Sequence, residues 1–199
     1  MSADVSGAGT TMLSIPGAIA AIARARQGAR AAGGSPIVVV TMSALPYWPA
    51  DDADYRLVSL MGSAGAIGLG LALGRPDRPV WVIDGDGSLL MQLGVLAAIG
   101  AAAPAGFAHL VIANGVYAIS GEQPTPGPAS WPQLFQGAGF PSAVECRTGE
   151  EIERALSHSS EGPSGIAIVC DPARPQFPAG AFDVDPANEA RRVRSTLAR

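Results

Sequence analysis

The chain has no lysine: all 13 of its basic residues are arginine. That excludes a lysine Schiff base, and with it pyridoxal phosphate chemistry anchored on this chain. Charge of either sign is scarce, at 15% of 199 residues, against about 25% in ordinary soluble domains. The formal charge is −4 and there is no basic run, so nucleic acid is not an expected partner. Cysteine is limited to Cys146 and Cys170. Both lie in apolar, strand-like settings without Cys-x-x-Cys spacing and read as reduced core residues of a cytoplasmic protein. No apolar run reaches the length of about 18 residues that spans a bilayer, so no membrane association is expected. Residues 12–33 carry arginines and no acid, as transit peptides do. The better reading is a first amphipathic helix opening near Pro16, with Ile15, Ile19 and Ile22 at helical spacing.

What is abundant is apolar and small. Hydrophobic residues make up 48% of the chain, with 25 glycines and 17 prolines. The length suits one domain. Residues 1–11 are small and polar and are expected to be disordered, 12–185 form the domain, and 186–199 a helical tail. Pro36–Val40, Val80–Asp84 and Phe107–Ala113 read as strands buried on both faces of a parallel sheet. Ala143–Cys146 and Ile166–Cys170 follow as further strands. Helices are expected over about Ser63–Leu73, Ser88–Ala102, Gly149–Ser159 and Asn188–Ala198. Residues 43–57, with two prolines and several aspartates, read as a surface loop, and 114–132 as an active-site loop. The fold class is α/β, an open, mostly parallel sheet with helices on both faces. The helix from Leu89 to Ile99 is apolar on nearly every side, which predicts a subunit interface covering part of it.

The chemistry concentrates in Val82-Ile83-Asp84-Gly85-Asp86-Gly87-Ser88 and, twenty-eight residues after Asp86, Asn114. A strand that ends in Gly-Asp-Gly-Ser and turns into a helix presents backbone N–H groups suited to a phosphate. Asp86 adds a hard carboxylate oxygen for a divalent cation, and the next strand delivers the neutral oxygen of Asn114. Ligands of open α/β sheets bind at such carboxyl ends. A dinucleotide fingerprint fails because its third glycine would fall on Leu90, and a P-loop fails for want of a lysine. His109, inside a strand, reads as a satisfied core or edge residue, and His158 as solvent-facing. Glu122 reads as a solvated loop carboxylate and Asp84 as a brace for the turn. Tyr117, Ser120 and Gln123 are candidates for the substrate entrance.

Four segments occur in order: Leu60-Met61-Gly62-Ser63-Ala64-Gly65, Gly85 to Gly100, Asn114-Gly115-Val116-Tyr117 and Gly121-Glu122-Gln123-Pro124-Thr125. Together they resemble the diphosphate-binding domain of the sulfopyruvate and phosphonopyruvate decarboxylases over residues 35–175. The resemblance implies thiamine diphosphate and Mg²⁺ as cofactors, with 12–185 as the domain that holds them. Asp86, the Asn114 side chain and the Val116 carbonyl would ligate the metal. Gly87 and Ser88 would meet the diphosphate, and the Gly62 carbonyl and Ala64 N–H the aminopyrimidine ring. Ser63, Gly85 and Tyr117 complete the expected cofactor-binding set. Two positions depart from the family pattern. Ala113 stands where Asn or Asp is usual, and Ala64 where a large apolar residue wedges the cofactor into its reactive shape.

The implied activity is decarboxylation of a small 2-oxo acid, with this chain as the beta subunit. The activating glutamate would come from a pyrimidine-binding alpha subunit. The alternatives are a half-enzyme for carboligation or oxidation of another 2-oxo acid, and a non-catalytic cofactor-binding module.

Overall fold

The computed structural model describes residues 12–49, 51–58, 60–157, 161–172 and 176–198. The expectations for residues 1–11 and for His158 lie outside these. Six strands form one sheet in the order β2-β1-β3-β4-β6-β5, and every pairing is parallel. They are β1 (Ile37–Thr41), β2 (Tyr55–Leu57), β3 (Val80–Gly85), β4 (Phe107–Ala113), β5 (Ser142–Cys146) and β6 (Ser164–Val169). The helices are α1 (Ile15–Ala31), α2 (Ala64–Gly74), α3 (Asp86–Leu90), α4 (Val95–Ala102), α5 (Trp131–Gly137), α6 (Gly149–Ser157) and α7 (Pro186–Leu197).

Alternation along the central strands divides the core in two, as a sheet covered on both faces requires. Val38, Val40, Trp81, Ile83, Leu110 and Ile112 pack with α1 and α6. Ile37, Val39, Val80, Val82, Phe107 and Val111 pack with α2, α4 and α5. Helix α1 starts where its sequence signals place it: Ser14 accepts the Gly17 N–H, and a proline occupies the first turn. Cys146 and Cys170 are free and buried, and burial pushes their thiols up to about 11 and about 12. No helix among the described residues is long and apolar enough to cross a membrane.

Three local expectations need correcting. The segment 43–57 is not a plain surface loop. A 3₁₀ turn (Met42–Tyr47) leads through a packed corner into the edge strand β2. Asp54, fully buried, accepts from Arg26 at 2.6 Å and from the Trp48 indole at 2.8 Å, and the Arg26 guanidinium lies 4.3 Å from the Trp48 ring centroid. The expected helix Ser88–Ala102 is two helices. Between them Met91, Gln92, Val95 and Leu96 donate to carbonyls three residues back, a tighter winding around the weak helix former Gly94. Helix α5 was not expected at all, although Ser130 caps it and Pro132 sits in its first turn.

Helix α7 covers the outer edge of the sheet at β2. Glu189 accepts the backbone N–H of Arg56 and both ends of its guanidinium, and Arg192 joins the same carboxylate at 2.6 Å. An edge strand with its N–H occupied is a poor template for strand addition.

Candidate functional site

The chain runs from β1 to β2 on one side and returns to β3 on the other, so the connections diverge at the β1–β3 edge. Crevices of this kind, at the carboxyl ends of the strands, are where open α/β sheets bind ligands. A cavity of about 110 Å³ lies there. The end of β1 contributes Met42 and Ser43, the turn after β3 contributes Gly85 to Ser88, and the segment after β4 contributes Asn114 and Val116 to Ser120. Met61, before α2, closes one wall.

Among the described residues Asp86 is the only acidic residue of the lining, and it is 3% exposed. Its carboxylate accepts the N–H groups of Gly87 and Gly115, both at 2.7 Å, and the Thr125 hydroxyl at 3.2 Å. Burial raises its pKa above the usual carboxylate value, these hydrogen bonds oppose that, and the neighbouring Asp84 adds to the rise. Among the described residues no Arg or His forms an ion pair with it. A buried carboxylate without a counter-charge fits a cation.

Asn114 sharpens that fit. With its amide nitrogen turned inward, it donates to the Val116 carbonyl at 3.1 Å and to Asp86 Oδ1 at 3.2 Å. With its oxygen turned inward instead, that oxygen faces the Val116 carbonyl and Asp86 Oδ1, a cluster of acceptors that a cation would stabilise. Among the described residues no three His, Cys, Asp or Glu side chains gather for a metal, so a cation here would rest on one carboxylate with amide and carbonyl oxygens.

The backbone around this point is shaped to admit a ligand closely. A Cβ on Gly87 would lie 2.5 Å from the Tyr117 ring, so only glycine lets that ring form the wall. Gly62 has φ +84°, and a Cβ there would lie 2.8 Å from Cβ of Gln92. Its N–H donates to Ser88 Oγ at 2.9 Å, which ties the entry of α2 to the turn after β3. The loop beyond Asn114 folds into a small hairpin through the Val116–Pro124 bridge and the Thr125 N–H to Gly115 carbonyl bond. Glu122 takes φ +59° at its tip and is exposed, outside the lining.

The structure thus brings Gly85, Asp86, Gly87, Ser88, Asn114, Val116 and Tyr117 into one cavity, with Gly62 joined to it through Ser88. Ser63 and Ala64 are not part of the lining. Ala64, the first residue of α2, is fully buried in the core, whereas Met61 is 37% exposed and lines the cavity. Sequence reasoning gave no role to Met42, Met61, Ser43, Ala118 or Ile119. Met42 carries the one signal that the backbone adds, a left-handed φ of +44° for a side chain that rarely adopts it.

Residues 32–168 match the family described as thiamine pyrophosphate enzyme, C-terminal TPP binding domain. The chain belongs to this family. Within it, the chain is 39% identical over 150 residues to the phosphonopyruvate decarboxylase of Streptomyces viridochromogenes, covering 73% of this chain and 37% of that protein. It is 32% identical over 128 residues to the sulfopyruvate decarboxylase subunit beta of Methanococcus maripaludis, covering 62% and 66%. The matched region therefore spans little more than a third of the first of these relatives. The same fold recurs in the 2-oxoglutarate:ferredoxin oxidoreductase of Magnetococcus marinus, with a TM-score of 0.66 at 18% identity, covering 79% of this chain and 61% of that one. In this TPP-binding domain the cavity lies where the sheet geometry places a ligand.

Proposed function

We propose that this chain is the diphosphate- and metal-binding half of a thiamine diphosphate-dependent decarboxylase acting on a small 2-oxo acid of the phosphonopyruvate or sulfopyruvate kind. The observation that carries the reading is the convergence of Asp86, Asn114 and the Val116 carbonyl beside the turn into α3. Asp86 supplies the charge for Mg²⁺, and the Asn114 and Val116 oxygens complete this chain's share of the ligands. The Gly87 and Ser88 turn receives the diphosphate. When bound, thiamine diphosphate supplies a carbon nucleophile and an electron sink for loss of carbon dioxide.

The remaining work of this chain is positioning. Met61 and Ile119, both in the lining, offer the apolar surface that Ala64 does not, and Tyr117 closes the wall over Gly87. Asp86 is committed to the metal and its three hydrogen bonds, and Glu122 is exposed at a hairpin tip. The activating carboxylate is therefore assigned to a pyrimidine-binding partner subunit. Leu60 and Met91 are 57% and 56% exposed on the segments flanking Gly62 and Ser88, and this apolar rim suits such a partner. The test is reconstitution: the purified chain has negligible decarboxylase activity and gains it on adding a pyrimidine-binding subunit. Robust turnover by a homo-oligomer of this chain alone would sink the split-enzyme reading.

A further inference from the structure

His109 is a core residue, as its place in a strand suggested, but it is not satisfied. It is fully buried in β4, and neither ring nitrogen has a hydrogen-bond partner. The rings of Phe107 and Phe135 flank it at 6.4 and 6.0 Å between centroids, and Gly65 of α2 packs so close that a Cβ there would lie 3.1 Å from its Cε1. An apolar side chain would suit these neighbours better, because an unpaired buried polar atom costs about 1–3 kcal/mol. A second orphan explains the histidine. Asp84, 1% exposed, has one carboxylate oxygen, Oδ2, without a partner. That oxygen lies 3.7 Å from His109 Nε2, within about an ångström of a hydrogen bond.

The other oxygen of Asp84 is occupied. Oδ1 accepts the Gly85 N–H at 2.9 Å and the buried Thr41 hydroxyl at 3.3 Å. Asp84 therefore joins the end of β1, the interior of β4 and the first residue of the turn that carries Asp86. We propose that His109 and Asp84 form a hydrogen-bonded couple in which His109, through Asp84, is a positioning residue for the Gly85–Asp86 turn. His109 does not line the cavity and acts only by fixing the carboxylate that holds Gly85 and Thr41. With the imidazole proton on Nε2, closing the gap pairs both facing orphans and leaves Nδ1 as the single unpaired atom. Supporting partners of this kind orient metal ligands, and losing one typically weakens metal affinity about 10–100-fold. The link to the cofactor rests on the function proposed above; the couple itself does not.

Two variants and three measurements on the purified chain test it. H109F keeps a ring between Phe107 and Phe135 and removes both nitrogens, while H109Q restores an N–H donor. First, imidazole ¹⁵N shifts of the wild type show the proton on Nε2; a proton on Nδ1 would overturn the couple. Second, without cofactor, hydrogen exchange of the Gly85 amide becomes roughly tenfold faster in H109F and returns toward wild type in H109Q. Unchanged exchange in H109F would overturn the positioning role. Third, calorimetric titration with thiamine diphosphate and Mg²⁺ shows affinity about 10–100-fold weaker in H109F and largely rescued in H109Q. Equal affinity in all three proteins would also overturn it. If the wild type binds no cofactor, the proposed function fails while the first two measurements still decide the couple. Should H109F not fold, D84N substitutes: its amide offers Nε2 a donor and moves the imidazole proton to Nδ1. An unmoved ¹⁵N spectrum in D84N would contradict the couple.

Discussion

Ala64→Met separates two accounts of the apolar wall. The family pattern places a large apolar residue at this position, which predicts that methionine there improves cofactor geometry and turnover. The structure predicts the reverse. Ala64, the first residue of α2, has no exposed surface and packs in the core, so three added heavy atoms must displace packed neighbours. Overpacking a filled core costs about 1–3 kcal/mol. For a chain of this size that lowers the melting temperature by about 2–12 °C. The complementary variant is Met61→Ala. Met61 is already partly exposed, so its loss leaves the melting temperature nearly unchanged. It removes apolar contact with whatever fills the cavity, worth about 1–2 kcal/mol, or roughly tenfold in Kd. Thermal unfolding and thiamine diphosphate titration of both variants read the two effects separately. An unchanged melting temperature with tighter cofactor binding in Ala64→Met would refute this reasoning and return the wedge to position 64.

Gly87→Ala places a methyl group 2.5 Å from the Tyr117 ring and should weaken cofactor binding at least tenfold, by about 1.4 kcal/mol. Since alanine otherwise favours a helix by about 1 kcal/mol over glycine, a more stable variant with full affinity would show that Tyr117 yields freely. Glu189 gives a pH dependence. Burial pushes its carboxyl up, but the hydrogen bonds from Arg56 and Arg192 outweigh this and hold it down to about 2. Its contribution is therefore fully present above the unfolded carboxylate value of about 4.3 and is lost as pH falls toward about 2, amounting to about 1–3 kcal/mol after allowance for screening. Urea unfolding at pH 6 and pH 3 should show a smaller acid loss in Glu189→Gln than in the wild type; equal losses would contradict the assignment.

The buried strands were legible because a sheet covered on both faces demands continuous apolar runs, and Ile37–Val40, Val80–Ile83 and Leu110–Ile112 supply them. The turn at Gly85–Ser88 and the asparagine after β4 were legible for a related reason. A run that stops at a glycine marks a strand end, and strand ends are where this fold binds ligands. Strand β2 was hidden because it is three residues long and only Leu57 is fully buried. The break after α3 falls where Gln92 approaches Gly62, thirty residues earlier, a neighbour that no local pattern encodes. Helix α5 did carry a local signal, Ser130 followed by Pro132, yet the expected loop 114–132 runs across its start and no element is expected over the rest of it. The alanine at position 64 marks a missing apolar wedge without saying what replaces it; Met61, three residues earlier at the helix entry, lines the cavity, and only the packing tells this. The approach of His109 to Asp84 depends on the β3–β4 register, which pairs His109 with Val82.

The central claim is that Asp86 anchors a cation which in turn holds the diphosphate. Calorimetric titration of thiamine diphosphate into the wild-type chain and into Asp86→Ala, each with Mg²⁺ and with a chelator, tests it directly. Circular dichroism confirms that the variant remains folded. The account predicts Mg²⁺-dependent binding by the wild type and a loss of at least a hundredfold in Asp86→Ala, about 2.7 kcal/mol, with no remaining response to Mg²⁺. Binding that is equally tight in a folded Asp86→Ala, or that ignores Mg²⁺ in the wild type, would contradict it.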